Sequence, residues 1–198
     1  MPPVDDYRMA MTRATFDAIP IDPMNAIGSL WDRVIDANPR LMTEDFGDAN
    51  FLAKVTPSLR LFLVLGVFDG QVSNGGIVQF FWNCPGTIFA VRGALAELGE
   101  LELLGLYDRA VTALVGNGES WESLRTQGAE LAPNDAAWEP FQKSYDLLDL
   151  GWFDKAYFDT WGHNSVNEWV VLSEGLSRRF AQNLVSYVRT RPGDFISG

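Results

Sequence analysis

The sequence predicts an all-α protein, a single compact domain of antiparallel helices with a long C-terminal helix. Apolar residues recur at steps of three and four in segment after segment, and period-two alternation does not recur. Short stop signals, such as Asn38-Pro39, Gly116-Asn117-Gly118 and Pro133-Asn134, separate those segments; such brief connections make successive helices antiparallel neighbours. At 198 residues, 47% hydrophobic and 13% aromatic, the chain can bury roughly 70% of its unfolded surface and needs no staples. The same composition excludes a disordered chain.

From the N-terminus, residues 1–23 are turn-rich (Pro2, Pro3, Pro20, Pro23) and read as a loosely attached arm, with the domain over 24–198. Helices are expected near Met24–Ala37, Pro57–Gln71, Ile77–Trp82, Phe89–Leu98, Leu101–Val115 and Ser120–Leu131. A further helix over Pro140–Leu150 carries Pro140 near its first position, where a missing N–H costs nothing. It turns Phe141, Tyr145 and Leu148 inward, and Gly151 reads as its C-terminal cap. From Ser165 to Arg191 one apolar stripe runs through Val166, Trp169, Val170, Leu172, Leu176, Phe180, Leu184, Tyr187 and Val188. Ser165-Val-Asn-Glu168 has the form of a capping box and Pro192 lies just past the end. The expectation is a helix of about 26 residues, roughly 39 Å long. The pattern leaves room for a small hairpin.

Composition narrows the function. One cysteine, Cys84, excludes an internal disulfide and any multi-cysteine zinc site; one histidine, His163, excludes a histidine-pair metal motif. Fifteen basic and 26 acidic residues give a net charge of −11, so neither nucleic acid nor an anionic membrane is an expected direct partner. Residues 1–19 lack a basic cap with an apolar run, and the longest apolar stretch, Leu61–Phe68, falls short of the ~20 residues a span requires. The expected location is the cytoplasm.

No catalytic constellation can be assembled. His163, in Trp161-Gly-His-Asn164, could act as a general base but more often such a residue caps a helix or packs beside a neighbouring ring. Cys84 has no nearby base in sequence, Gly116-Asn-Gly-Glu119 lacks the spacing and lysine of a phosphate loop, and no calcium-loop spacing appears. The reading is a non-enzymatic protein with no cofactor and no metal.

The sharpest motif is Asn74-Gly75-Gly76-Ile77-Val78-Gln79-Phe80-Phe81-Trp82-Asn83. Its Asn-Gly-Gly bend can end one helix, and Gly76 lets the chain turn before Ile77 starts the next. Gln79 and Asn83 then share a face among aromatics. A buried amide network bonded to backbone across the bend is favoured over a ligand pocket with amide specificity.

These residues resemble a known family. Gln71 to Asn83, Ala94-Leu-Ala-Glu-Leu-Gly99, Tyr145-Asp-Leu-Leu-Asp-Leu-Gly-Trp-Phe153 and Val185-Ser-Tyr-Val-Arg-Thr-Arg-Pro-Gly-Asp-Phe195 follow the order of a bacterial family of domains of unknown function whose described member is a DNA mimic. The resemblance spans roughly residues 55–196, with Gln71 in place of an acidic residue and Ile77 in place of an aromatic one. It implies a mostly helical protein and, by analogy, one that occupies a DNA-binding protein, such as a transcription factor, in place of DNA.

The charge distribution is an independent observation. Residues 95–174 hold 15 acidic and 4 basic groups, net −11, equal to the whole chain. Their like-charge neighbours at helical spacing (Glu97 with Glu100, Glu119 with Glu122, Asp135 with Glu139, Asp146 with Asp149) each cost a few tenths of a kcal/mol. The plain reading is a solvated face that aids solubility. The functional reading is a set of carboxylates replacing phosphates: Glu119, Glu122, Asp135, Glu139, Asp146, Asp149, Asp154 and Asp159. The C-terminal cluster Arg178, Arg179, Arg189 and Arg191 is read as complementing the dipole at the last helix's C-terminal end, and alternatively as drawn to a second copy's acidic face in a homodimer. The competing function is an immunity-like or other binding module using a hydrophobic patch, for which Trp121, Trp138 and Trp152 are first candidates; an enzyme around His163 comes third.

Overall fold

The computed structural model describes residues 7, 9–19, 26–132 and 135–196. In chain order the elements are α1 (Arg13–Asp17), α2 (Ala26–Ala37), α3 (Ala49–Leu52), α4 (Pro57–Asn83), α5 (Ile88–Leu98), α6 (Leu101–Gly116), α7 (Gly118–Leu131), α8 (Trp138–Leu148), α9 (Gly151–Tyr157), β1 (Thr160–His163), β2 (Trp169–Ser173) and α10 (Leu176–Arg189). The fold is all-α, and β1 and β2 form a small antiparallel hairpin.

The first half of α4 is apolar on every side, and it organises the core. Leu59, Leu61, Phe62, Leu63, Val64, Leu65 and Phe68 are buried, because a helix apolar all round must be covered all round. By length and composition α4 could cross a bilayer, yet 61% of its most apolar window is buried inside the protein. Phe68 meets Phe80, Tyr107, Tyr157 and Phe180 edge-on at 5.4, 5.7, 5.9 and 6.1 Å between ring centres. Such pairs add about 0.5–1.5 kcal/mol each beyond area burial, and here they gather α6, α9 and α10 around α4.

The two expected helices Pro57–Gln71 and Ile77–Trp82 are the limbs of α4, which bends where Gly75 and Gly76 leave helical geometry. Gly76 has φ 76° and ψ 179°, a region essentially open to glycine alone. A side chain there would also strike the Asp154 carboxylate of α9. Asp154 accepts a hydrogen bond from the Ile77 backbone N–H at 2.9 Å, so it serves a donor that the interrupted helix leaves without its carbonyl. Tyr145 of α8 donates its hydroxyl to the Gly75 carbonyl at 2.7 Å. Two helices thus clamp one bend. The amide network takes a different form from the one expected: Gln79 and Asn83 both donate to Gln71 Oε1, at 3.2 and 2.8 Å, so a third side chain, not the backbone, closes it. Phe80 is buried and Asn74 exposed.

The C-terminal region corrects the sequence reading. A single helix does not run from Ser165; β1 and β2 precede α10, which begins at Leu176. Asn164 accepts hydrogen bonds from the backbone N–H groups of Val166 (3.0 Å) and Glu168 (2.9 Å), and Asn167 adopts a positive φ of 62°. The apparent capping box is therefore a hairpin loop held by an asparagine turn, and the β-branched Val170 and Val171 suit the strand that follows. Likewise Gly151 does not cap α8. Asp149, at φ 46°, takes the left-handed position, and Gly151 opens α9.

Of the expected arm 1–23, residues 1–6, 8 and 20–23 lie outside the described ones. Tyr7, Met9, Met11, Phe16 and Ile19 are buried; Met11 bridges to Ile196 and the Phe16 ring lies 6.1 Å from Phe195. These residues pack into the core.

Replacing Gly76 with alanine should lower the unfolding free energy by about 3 kcal/mol in urea denaturation, since strain and the Asp154 collision add. Asp154→Ala should cost about 1–3 kcal/mol by stranding the Ile77 N–H, whereas Asp154→Asn keeps an acceptor and should cost less at neutral pH. Burial raises the Asp154 carboxyl pKa, against the opposing effect of the Ile77 N–H. A raised folded pKa means the native state binds the proton more tightly, so this contribution is present below the ordinary aspartate pKa and lost as pH rises through the raised one. Wild type should accordingly gain on Asp154→Asn as pH falls from neutrality into the carboxylate range. Gly105→Ala, at an exposed helical site with nothing within 4 Å of the added carbon, should stabilise by about 0.5–1 kcal/mol.

Candidate acidic interaction surface

The helical pair α7–α8 rests on the second limb of α4 through aromatic contacts. Trp82 meets Trp121 of α7 at 5.6 Å and Phe141 of α8 at 5.4 Å. Gly128 of α7 is tight against Trp82, where an added Cβ would come within 2.9 Å of the indole. The direction that α4 takes after its bend thus sets where this pair stands.

Residues 117–150, covering the pair and its ends, carry seven acidic and two basic groups, net −5. Glu119, Glu122, Glu139, Asp146 and Asp149 are exposed, as is Glu130 near the end of α7. Glu119 and Asp146 line one open groove between the helices, together with Ser120, Ser123 and Lys143. Glu139 pairs with Lys143 at 2.7 Å, which holds its carboxyl below the usual range. Glu122 lies 3.9 Å from Arg125. The side chain of Asp135 is outside the described ones.

Position along each helix separates these acids. Glu119 and Glu139 sit in first turns, where the helix dipole welcomes a negative charge. Asp146 and Asp149 sit at the C-terminal end of α8, where the dipole opposes one. Asp149 also occupies a left-handed position that glycine or asparagine fills at less cost. Neither has an ion pair among the described residues.

Two of the expected acids, Asp154 and Asp159, are half-buried and engaged within the chain. Asp154 is the clamp on the α4 bend. Asp159 pairs with Arg178 and accepts from the Gly175 N–H at 2.8 Å; the hydrogen bond from the Arg178 guanidinium is the chief cause that holds its carboxyl below the ordinary aspartate range. The acids of α5 and α6 are also engaged. Arg179 reaches Glu100 at 3.5 Å and Glu102 at 3.0 Å, Arg92 holds Asp108 at 2.8 Å, and Tyr187 donates to Glu97 at 2.7 Å.

For Arg178 and Arg179 this pairing corrects the dipole reading, whereas Arg189 does stand in the last turn of α10, the end that reading named. Arg178 and Arg179 lie in the first turn of α10, the end at which the dipole disfavours a cation; their carboxylate partners account for them. Arg189 donates to the Ile19 carbonyl at 3.2 Å, and Arg191 stacks on the Tyr187 ring at 3.7 Å. All four arginines are engaged within the chain.

The remaining candidates fall in separate places. His163 is exposed on β1, with Nδ1 3.2 Å from the Asn167 carbonyl and its ring 5.0 Å from that of Trp169. Burial pushes the Cys84 thiol up, away from the thiolate a nucleophile requires. Among the described residues no group of three His, Cys, Asp or Glu side chains is placed to hold a metal ion. Trp121 is buried, Trp152 lies half-buried beneath Arg109 at 4.2 Å, and Trp138 is exposed. The hairpin adds exposed apolar side chains: Trp161, together with Val166, Trp169 and Leu172, which fall within the segment expected to be helical. Tyr145 and Gln71, which fasten the bend, carry no local sequence signal for that role, because their partners depend on tertiary approach.

No curated protein and no solved structure matches the chain. The family model described as DMP19-like protein matches residues 53–171, more than half of the chain and including the α4 bend, the clamp residues and the whole α7–α8 pair. The chain belongs to the DMP19-like protein family, a DNA-mimic family.

Proposed function

We propose that the protein acts by binding, as a surrogate for duplex DNA, and that the exposed acids of α7–α8 occupy the basic DNA-binding surface of a regulatory protein such as a transcription factor. The observation that carries this reading is the placement of Asp146 and Asp149. Both stand against the helix dipole and without an ion pair among the described residues, so folding gains nothing from their charge. Glu119, Glu122 and Glu139 extend the same field along a braced helical pair. Duplex DNA presents about one negative charge per 1.7 Å of axis, and a protein substitute needs fixed carboxylates in place of phosphates. The reading places the chain and its partner in the cytoplasm, and assigns it no catalytic step.

A second reading is favoured by one specific observation, the exposed apolar side chains Trp161, Val166, Trp169 and Leu172 on the hairpin. A partner docking there would bind through a hydrophobic patch and would respond weakly to salt.

Capture by the full-length protein from native lysate, with salt elution, separates the two. Mimicry predicts that basic DNA-binding proteins are retained, that affinity falls by several orders of magnitude between about 50 and about 200 mM salt, and that the combined variant E119K/E122K/D146K/D149K retains none. A partner unaffected by those changes and lost on Trp169→Ala would belong to the second reading. Asp149→Asn should raise stability by a few tenths of a kcal/mol to about 1 kcal/mol while weakening capture, an opposition that a mere solubility role would not produce.

A further inference from the structure

A cavity of about 260 Å³ lies between α2, α4, the start of β1 and α10, on residues that the mimicry reading does not use. Asp69 of α4 faces it with a carboxylate already held on one side: the buried Tyr157 hydroxyl donates to Oδ1 at 2.6 Å. Tyr157 is its hydrogen-bond donor among the described residues. The Ser73 and Ser177 hydroxyls line the same space, and the Trp161 ring, 41% exposed, stands in its wall toward solvent. Among the described lining residues Arg178 is the one cation, and it is engaged by Asp159, which also lines the cavity.

The charge balance of this lining selects a ligand class. Asp159 and Arg178 neutralise each other, which leaves Asp69 as the uncompensated group. Burial raises its carboxyl pKa against the opposing hydrogen bond from Tyr157, so a cation arriving there would relieve a desolvated carboxylate. An anion would face two carboxylates and an arginine already taken. The aromatic wall adds a face on which a cation is stabilised. The volume sits just below the range of about 300–1,000 Å³ typical of drug-sized ligands, which fits a short alkyl chain with a charged head and excludes a nucleotide.

We propose that this cavity is a binding site for a single primary ammonium or guanidinium head, received by Asp69, with the serine hydroxyls as acceptors and Trp161 over its alkyl stem. That head has two sources, a small free amine or a lysine or arginine side chain of a bound protein. The site is independent of the α7–α8 acids, so its failure and that of mimicry would be read separately.

The test is a titration of the isotope-labelled full-length protein with n-butylammonium chloride, followed by the indole N–H of Trp161, with potassium chloride at equal ionic strength and n-butanol as controls. Saturable shifts with butylammonium alone are expected. Asp69→Asn, which keeps an acceptor for Tyr157, should weaken binding at least tenfold. Gly28→Leu gives an independent variant: Gly28 lines the cavity from helix α2, and nothing lies within 4 Å of where its Cβ would stand, so the added side chain should fill the space and abolish binding in a folded protein. N-acetyl-lysine methylamide distinguishes the sources; binding as tight as butylammonium assigns the site to a protein side chain, and exclusion assigns it to a free amine. Shifts no larger than those from potassium chloride, or wild-type binding by both variants, would overturn the proposal.

Discussion

At Gly76 the central helix takes a backbone conformation open to glycine, and the Asp154 carboxylate fills the space that any side chain would need. The interaction is reciprocal: the bend exposes the Ile77 N–H, and Asp154 accepts it, while Tyr145 holds the carbonyl on the other side of the break. Phe68 anchors the first limb among four aromatic rings, and Trp82 at the end of the second limb carries α7 and α8. Tyr145 lies on α8 itself, so the pair that bears the exposed acids is fastened both to the end of the bent helix and to the bend. The placement of that charge is a consequence of one backbone geometry.

Among the described residues, the ion pairs distinguish α7–α8 from α5, α6 and the approach to β1. Carboxylates on α5, α6 and the β1 approach are matched by Arg92, Arg178 and Arg179 or by the Tyr187 hydroxyl. Those on α7 and α8 have, among the described residues, Arg125 and Lys143 as ion-pair partners. Exposed pairs of this kind contribute little stability individually, but they decide where the molecule's field emerges, because paired charges cancel at a distance and unmatched ones add.

Much of this was legible in the sequence, for stated reasons. Helices α2 and α5 to α8 follow from apolar spacing and from punctuation by glycine, asparagine and proline. The bend followed from three consecutive small or turn-forming residues, Asn74-Gly75-Gly76. The failures have physical causes too. The stripe from Val166 to Val188 fits a helix, but Asn164 offered the backbone N–H groups of Val166 and Glu168 a local acceptor, and the chain folded back as a hairpin. Asp154 and Asp159 look like their neighbours in sequence. What engages them within the chain is an N–H 77 residues away and an arginine 19 residues away, which no local pattern encodes.

The most direct test of the central claim is competition with DNA. Basic proteins captured on the immobilised full-length chain would be titrated with a duplex carrying their binding sequence, and both released protein and retained DNA would be measured. Mimicry predicts that the duplex releases the partner in proportion to occupancy and that no DNA stays on the chain. A duplex that remains bound through a partner still held by the chain would show two separate surfaces, and would contradict it.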